Sequence, residues 1–245
     1  MGRRIRFARF LKAVFFRAQL DRLFHVLGEP LLKLVYLARL SRWIRVHGPL
    51  PYGEGPGGAI TPAKRFRFYD YLLESQGLSG AVDYLEFGVA EGASFRWWVE
   101  HNTHPDSRFY GFDTFTGLPE DFGGGITAGT FSTGGAAPEL PDPRAHFVPG
   151  LFQDTLDPFL DEHDLRRRLV IHADADLYTS TLFVLARLYP RLKADDVILF
   201  DEFGVPTHEF RAFTDFVTSH RLRYTVLGAV NNYLQVAIRV EGDGV

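Results

Sequence analysis

The chain has 245 residues, 46% apolar and 23% charged, the balance of one large globular domain or of one domain with an appendage. It contains no cysteine, which excludes disulfides, zinc–thiolate centres and a cysteine nucleophile and fits a reducing, cytoplasmic setting. The net charge of −3 is unevenly spread: residues 1–48 hold eleven Lys and Arg against Asp21 and Glu29, a net +9, so the remainder carries −12. A body that acidic argues against nucleic acid as a partner.

The first 48 residues read as a basic helical arm. Leu20, Leu23, Phe24 and Leu27, then Leu31, Leu34, Val35 and Ala38, recur at helical intervals, which predicts helices over 3–27 and 30–46 broken at Gly28-Glu29-Pro30. No apolar run reaches the roughly 20 residues that span a bilayer, and charges interrupt any signal-like stretch, so neither a membrane span nor a signal peptide is expected. The preferred reading is an appendage that packs on the body or on a second subunit with its arginines solvated. The alternative is an amphipathic surface helix in weak contact with anionic lipid. Residues 49–80 form a linker and a lid helix. The Gly- and Pro-rich segment 47–62 reads as flexible, and a helix over 64–76 carries Phe68, Tyr71 and Leu72 on one face.

From residue 81 to 245 strands and helices alternate. Strands are expected over 84–87, 109–112, 145–148, 169–173 and 197–200, with helices over 94–101, 156–162, 179–189 and 208–220. That is an α/β, doubly wound, mostly parallel sheet. The last two strands, 224–227 and 234–239, are joined by too few residues for a crossover helix and should form an antiparallel hairpin.

Ligands of such sheets sit beyond the carboxyl ends of the strands. The first strand runs into Glu86, Gly88 and Gly92 and then a helix, a turn that lets backbone approach a ligand closely. The second strand ends in Asp113, placed to accept the hydroxyls of a ribose or else to cap its own turn. The fourth delivers His172, Asp174 and Asp176, and the neighbouring fifth delivers Asp201 and Glu202. Up to four carboxylates then share one rim, a set that calls for a hard cation such as Mg²⁺. Asp176 is expected instead to cap the helix beginning near Thr179. His146 and His208 could approach the rim, although a single histidine is more often structural. The long loop 115–143 reads as an acceptor lid, or as a disordered insertion.

Four blocks carry a resemblance: Leu85-Glu86-Phe87-Gly88-Val89-Ala90-Glu91-Gly92, the Phe112-Asp113-Thr114-Phe115-Thr116-Gly117-Leu118-Pro119 run, Asp174-Ala175-Asp176-Leu177-Tyr178-Thr179-Ser180-Thr181, and Phe200-Asp201-Glu202-Phe203. Over about residues 81–240 the chain resembles macrocin O-methyltransferase-type enzymes, which are class I, S-adenosylmethionine-dependent and Mg²⁺-dependent. The resemblance implies a Rossmann-like class I methyltransferase sheet with the C-terminal hairpin. It puts Glu86, Gly88 and Gly92 at the methionine part of S-adenosylmethionine, Asp113 on its ribose, and Gly150 and Phe152 near its adenine, with Asp174 also beside the cofactor. Asp174, Asp201 and Glu202 would bind Mg²⁺ and present a sugar diol of a saccharide or glycosylated metabolite. Asp174 and His146 are the catalytic candidates, His146 or a metal-side carboxylate serving as base, and a homo-oligomer is implied. Two departures stand out: the fifth-strand pair is Asp-Glu, and Leu177 occupies the position of the lysine base in catechol-type relatives. Rival readings are a catechol or phenol O-methyltransferase, an NAD-dependent reductase and a non-catalytic scaffold.

Overall fold

The computed structural model describes residues 2–242, without the side chains at 23 and 25. The part of Leu23 in the helical spacing, and the last three residues of the body expected over 81–245, therefore lie outside the described residues.

Five parallel strands, β1 (Val82–Phe87), β2 (Arg108–Asp113), β3 (Ala145–Pro149), β4 (Arg168–Ala173) and β5 (Val197–Phe200), form most of one seven-stranded sheet. Its order is β3-β2-β1-β4-β5-β7-β6, with β6 (Tyr224–Val230) and β7 (Gln235–Val240) as the antiparallel pair. The hairpin turns at residues 231–234, and β7 rather than β6 inserts beside β5. All six residues of β1 are buried because helices cover both faces. Leu85, Phe87, Ile171, Ala173, Ile198 and Phe200 point into one core with α5 (Phe152–Glu162), α6 (Tyr178–Leu188) and α7 (Glu209–His220). The alternate residues Tyr84, Val170, Val197 and Leu199 meet α3 (Pro62–Ser75) and α4 (Ala93–His101) on the other face.

The arm breaks at a different place from the one its sequence announces. Helix α1 (Arg3–Arg17) ends before Gln19, which has φ +47°, and α2 (Asp21–His47) runs straight through Pro30. A proline inside a helix loses one backbone hydrogen bond, and on so exposed a segment water takes over the orphaned carbonyl. The distal half of α2 is held by the body: Tyr36, Leu40 and Trp43 are buried, and Trp43 Nε1 donates to the Tyr224 hydroxyl at 3.0 Å.

The Gly- and Pro-rich segment before α3 is pinned rather than loose. Ala229 N–H donates to the Tyr52 carbonyl, and Tyr52 stacks on Phe68 and Tyr71. The side-chain carbonyls of Asn231 and Asn232 accept the N–H groups of Thr61 and Gly57 at 2.9 and 3.0 Å. The hairpin turn thus fixes the start of α3 over the sheet.

Candidate active site

The strand register brings the acids together. Glu86 is paired with His172 across β1 and β4, and Ala173 with Phe200 across β4 and β5. Asp174 and Asp201 therefore leave the sheet side by side, one residue beyond that last pair. The Asp174 N–H still donates to the Phe87 carbonyl, and the Asp201 N–H to the Ala173 carbonyl, so both carboxylates rest on rigid backbone. A cleft opens there, beyond the carboxyl ends of β1, β2, β4 and β5, and Asp174, Asp176, Asp201 and Glu202 all line it.

Gly88 permits this closeness. It has φ +95°, and a Cβ would lie 1.8 Å from the Asp174 carbonyl oxygen. Gly88→Ala should therefore lower stability by more than about 2 kcal/mol, read as a drop in the urea midpoint, because neither backbone can yield without moving a strand end. An unchanged midpoint would contradict this account of the turn.

Asp113 holds the same turn from the next strand. Its Oδ2 accepts the N–H groups of Val89 and Ala90 at 2.7 and 2.8 Å, and its Oδ1 accepts that of Phe115 at 2.7 Å. A carboxylate has about four acceptor positions, so Asp113, which lines the cleft, can accept one further hydrogen bond from a ligand. Phe152, on the first turn of α5, lines the cleft as well. Gly150, with φ +137°, precedes the lining residues Leu151 and Phe152, and Gly92 packs its backbone under Pro138; neither lines the cleft itself.

Two sequence candidates lie elsewhere. Glu86 is turned into the core, where it accepts a short hydrogen bond from the Tyr84 hydroxyl and sits 3.4 Å from His172 Nδ1. His146 is exposed near the amino end of β3, stacked on Tyr110, in a separate depression lined by Arg108, Arg144 and His163. An amino-end position on an edge strand cannot reach ligands held at carboxyl ends, so His146 is not brought to the acids.

Asp176 does not cap α6. That helix starts at Tyr178 with Leu177 as its N-cap and no side-chain cap hydrogen bond. Asp176 takes φ +57°, which turns its carboxylate into the cleft instead. Burial, then the charges of Asp201 and Asp113, push it up to about 6.

The electrostatics of the rim follow from too many acids and few cations. Burial and the neighbouring Asp201 charge hold the Asp174 carboxyl well above its usual range. Burial, then the charges of Asp201 and Asp176, raise Glu202 to about 7. Asp201 goes the other way: burial opposes its charge, but His172 and Arg65 outweigh that and lower it. Arg65, from α3, donates Nη1 to Asp201 Oδ2 at 3.1 Å and also lines the cleft. Glu209, fully buried at the start of α7, accepts the Glu202 N–H at 2.8 Å, and burial with the Asp174 charge holds its carboxyl well above the usual range.

The donor set fits a hard cation. Asp201 Oδ1 is buried with no hydrogen-bond partner among the described residues, although the other oxygen of the same carboxylate is bound by Arg65. His172, Asp174 and Asp201 offer atoms within 4.8 Å of one another. Burial would lower His172, but the contacts to Asp201 and Glu86 raise it to about 10, and an imidazolium has no lone pair to give. That leaves oxygen donors from Asp174 and Asp201, with Glu202 beside them in the cleft, the chemistry that suits Mg²⁺.

The loop 115–143 forms one wall. Gly117, Leu118, Pro119 and Phe131 line the cleft, Glu120 accepts from the Thr179 hydroxyl at 2.6 Å, and Phe122 stacks on His208 with ring centroids 4.2 Å apart.

This sheet, with its cleft at the carboxyl ends, is the class I methyltransferase fold. A crystal structure of CalS11, a calicheamicin methyltransferase, matches with a TM-score of 0.58 and 22% identity over 72% of this chain and 79% of that one. Residues 136–233 match the family described as Macrocin-O-methyltransferase (TylF), a stretch that holds the Asp174–Thr181 and Phe200–Phe203 blocks of the resemblance. Two curated proteins are similar over shorter stretches. The mycinamicin III 3''-O-methyltransferase of Micromonospora griseorubida is 34% identical over 79 residues, 29% of each chain. The 8-demethyl-8-(2,3-dimethoxy-alpha-L-rhamnosyl)-tetracenomycin-C 4'-O-methyltransferase of Streptomyces olivaceus is 31% identical over 106 residues, 43% of this chain. The matched stretches span only 29% and 34% of those two proteins' own lengths.

Proposed function

We propose that the protein is an S-adenosylmethionine-dependent O-methyltransferase that acts on a hydroxyl of a sugar or a glycosylated metabolite. One observation carries the reading: a single cleft is lined both by the Gly88–Ala90 turn with Asp113 and by the four rim carboxylates. The first set suits a nucleoside, and the second suits a cation-assisted hydroxyl. The two curated relatives are named for methylation of glycosylated compounds, which supports a saccharide-bearing acceptor.

Asp174, Asp201 and Glu202 would hold Mg²⁺, which when bound lowers the pKa of an acceptor hydroxyl. The chain's own residues do the rest. Asp113 orients the ribose through its free acceptor position. Asp176 is the rim carboxylate left free, and at about 6 it remains a base at neutral pH that takes the hydroxyl proton. The acceptor oxygen bonds to the methyl carbon as the carbon–sulfur bond breaks, leaving S-adenosylhomocysteine. Leu118, Pro119 and Phe131 cover the cleft and keep water from the sulfonium. The enzyme supplies chiefly positioning, since the sulfonium is already activated.

Equilibrium binding of S-adenosylhomocysteine against NADH tests the cofactor: only the former should bind, and the reverse result overturns the reading. Labelled methyl transfer to saccharide, glycosylated and catechol acceptors, with Mg²⁺ or with excess EDTA, then tests the acceptor. Transfer confined to catechols would move the assignment to a phenolic substrate.

A further inference from the structure

The catalytic body leaves α1 and the first half of α2 without a use. No residue of α1 is buried. Phe7, Phe10, Leu11 and Val14 follow one another at i, i+3, i+4 and i+7, so they form a single stripe, and Phe7 and Phe10 are 63% and 62% exposed. Arg6, Arg9 and Lys12 run along the other side of the helix, which also exposes Ile5 and Phe16. The stripe continues in α2 as Phe24, Leu27, Leu31 and Leu34, all exposed, on a face different from the Tyr36, Leu40 and Trp43 side that docks on the body. Phe15 and Phe24 meet at the joint with ring centroids 5.4 Å apart, which ties the two helices at the bend.

What covers such a face must supply both apolar volume and negative charge. A second copy supplies these poorly. Two α1 helices joined through their stripes would bring together six positive charges each, Arg3, Arg4, Arg6, Arg9, Lys12 and Arg17, with no acid on either helix to offset them. The acidic body of a second copy has the charge but no apolar receiving patch. Among the described residues its large exposed apolar side chains are Ile60, Phe131, Leu151 and Tyr189, of which Phe131 and Leu151 line the catalytic cleft. A lipid surface bearing anionic headgroups supplies both, and a strongly amphipathic, Lys/Arg-rich helix of low mean hydropathy is the form that lies in such an interface. No described helix is long and apolar enough to cross a membrane, so the contact is a surface one.

We propose that α1 and the exposed stripe of α2 bind an anionic lipid surface, with the apolar stripe among the acyl chains and the arginines at the headgroups.

The test is co-sedimentation of the full chain with vesicles of phosphatidylcholine alone and of phosphatidylcholine mixed with phosphatidylglycerol, at low and high salt. Binding should be confined to the anionic vesicles and should fall steeply with salt. Arg6→Gln with Arg9→Gln should weaken it on the order of ten-fold or more. Phe7→Ser with Phe10→Ser should weaken it at least as much, with the melting temperature unchanged because neither side chain is buried. A full chain that stays in solution with anionic vesicles, or sediments equally with neutral ones, overturns the proposal. If Phe7→Ser with Phe10→Ser instead halves the mass measured by light scattering and leaves vesicle binding untouched, the stripe belongs to a second copy.

Discussion

Asp174→Ala should lower methyl transfer by about a thousand-fold or more, the scale expected when a group that assembles charge at the reacting centre is removed. The affinity for S-adenosylhomocysteine should change by less than about ten-fold. The backbone at this position does the structural work: its N–H bonds the Phe87 carbonyl and its carbonyl rests on Gly88, and both survive loss of the side chain. The side chain itself is destabilising when charged, since burial and the Asp201 charge both raise its pKa. Asp174→Ala should therefore melt no lower than the parent in the absence of cations, and should lose any Mg²⁺-induced rise in melting temperature. A chain that is inactive but melts several degrees lower would mean a folding defect rather than a lost ligand. Full activity in Asp174→Ala, or in the parent under excess EDTA, would remove the cation from the mechanism while leaving the cofactor assignment to stand or fall on binding.

The architecture was legible in the chain because its signals are local. The four residues of β5 read as an apolar run, Tyr84, Leu85 and Phe87 mark β1, and the short 231–234 turn forces an antiparallel pair. The break in the arm was not legible, because a proline on an exposed helix is tolerated and Ala18-Gln19-Leu20 carries no breaker. The pinned segment before α3 was hidden for a related reason. Its glycines and prolines advertise freedom, and the asparagines that remove it lie about 170 residues away.

The rim acids were legible because an acid follows the end of β4 and of β5 at once, and the structure gathers Asp174, Asp176, Asp201 and Glu202 in one cleft. The positive members of the site were the harder part. Arg65 stands on the same helix face as Phe68, Tyr69 and Leu72, at i, i+3, i+4 and i+7, so a charge on an apolar stripe was the available signal. Glu209 gave a similar one, a carboxylate opening the helix that buries Phe210 and Phe213. His146 attracted notice as a histidine on a strand, yet a residue one step into β3 lies at the wrong end of it. Glu86 belongs to the turn in sequence but points down into the core, because side chains alternate along β1 and its neighbour Phe87 takes the opposite face.

His172→Gln should cost about 3–5 kcal/mol at neutral pH, the range for removing one partner of a buried ion pair. The imidazole has no exposure, and Nδ1 lies 2.9 Å from the Tyr84 hydroxyl and 3.4 Å from Glu86, while Nε2 is 3.8 Å from Asp201. It is the cation between two buried carboxylates that would otherwise face each other, and glutamine replaces its shape but not its charge. The pH dependence separates this role from mere volume. The folded value of about 10 stands above the unfolded 6.5, so the contribution is complete below pH 6.5 and is lost as pH rises towards 10. Asp176 and Glu202, raised to about 6 and 7, also favour the folded state only while protonated, and their contribution is lost as pH rises through those values, ending about one unit above pH 7. The parent should accordingly lose stability through one window ending near pH 8 and another running on to about 10, in which Asp174 and Glu209, also raised well above their usual range by burial, add to the loss. His172→Gln should keep the first and fall less steeply than the parent through the second, having lost the imidazole's share of it. Urea midpoints measured from pH 5 to pH 10 on both proteins give the comparison, and parallel curves above pH 7 would show that the imidazole is neutral in the folded chain.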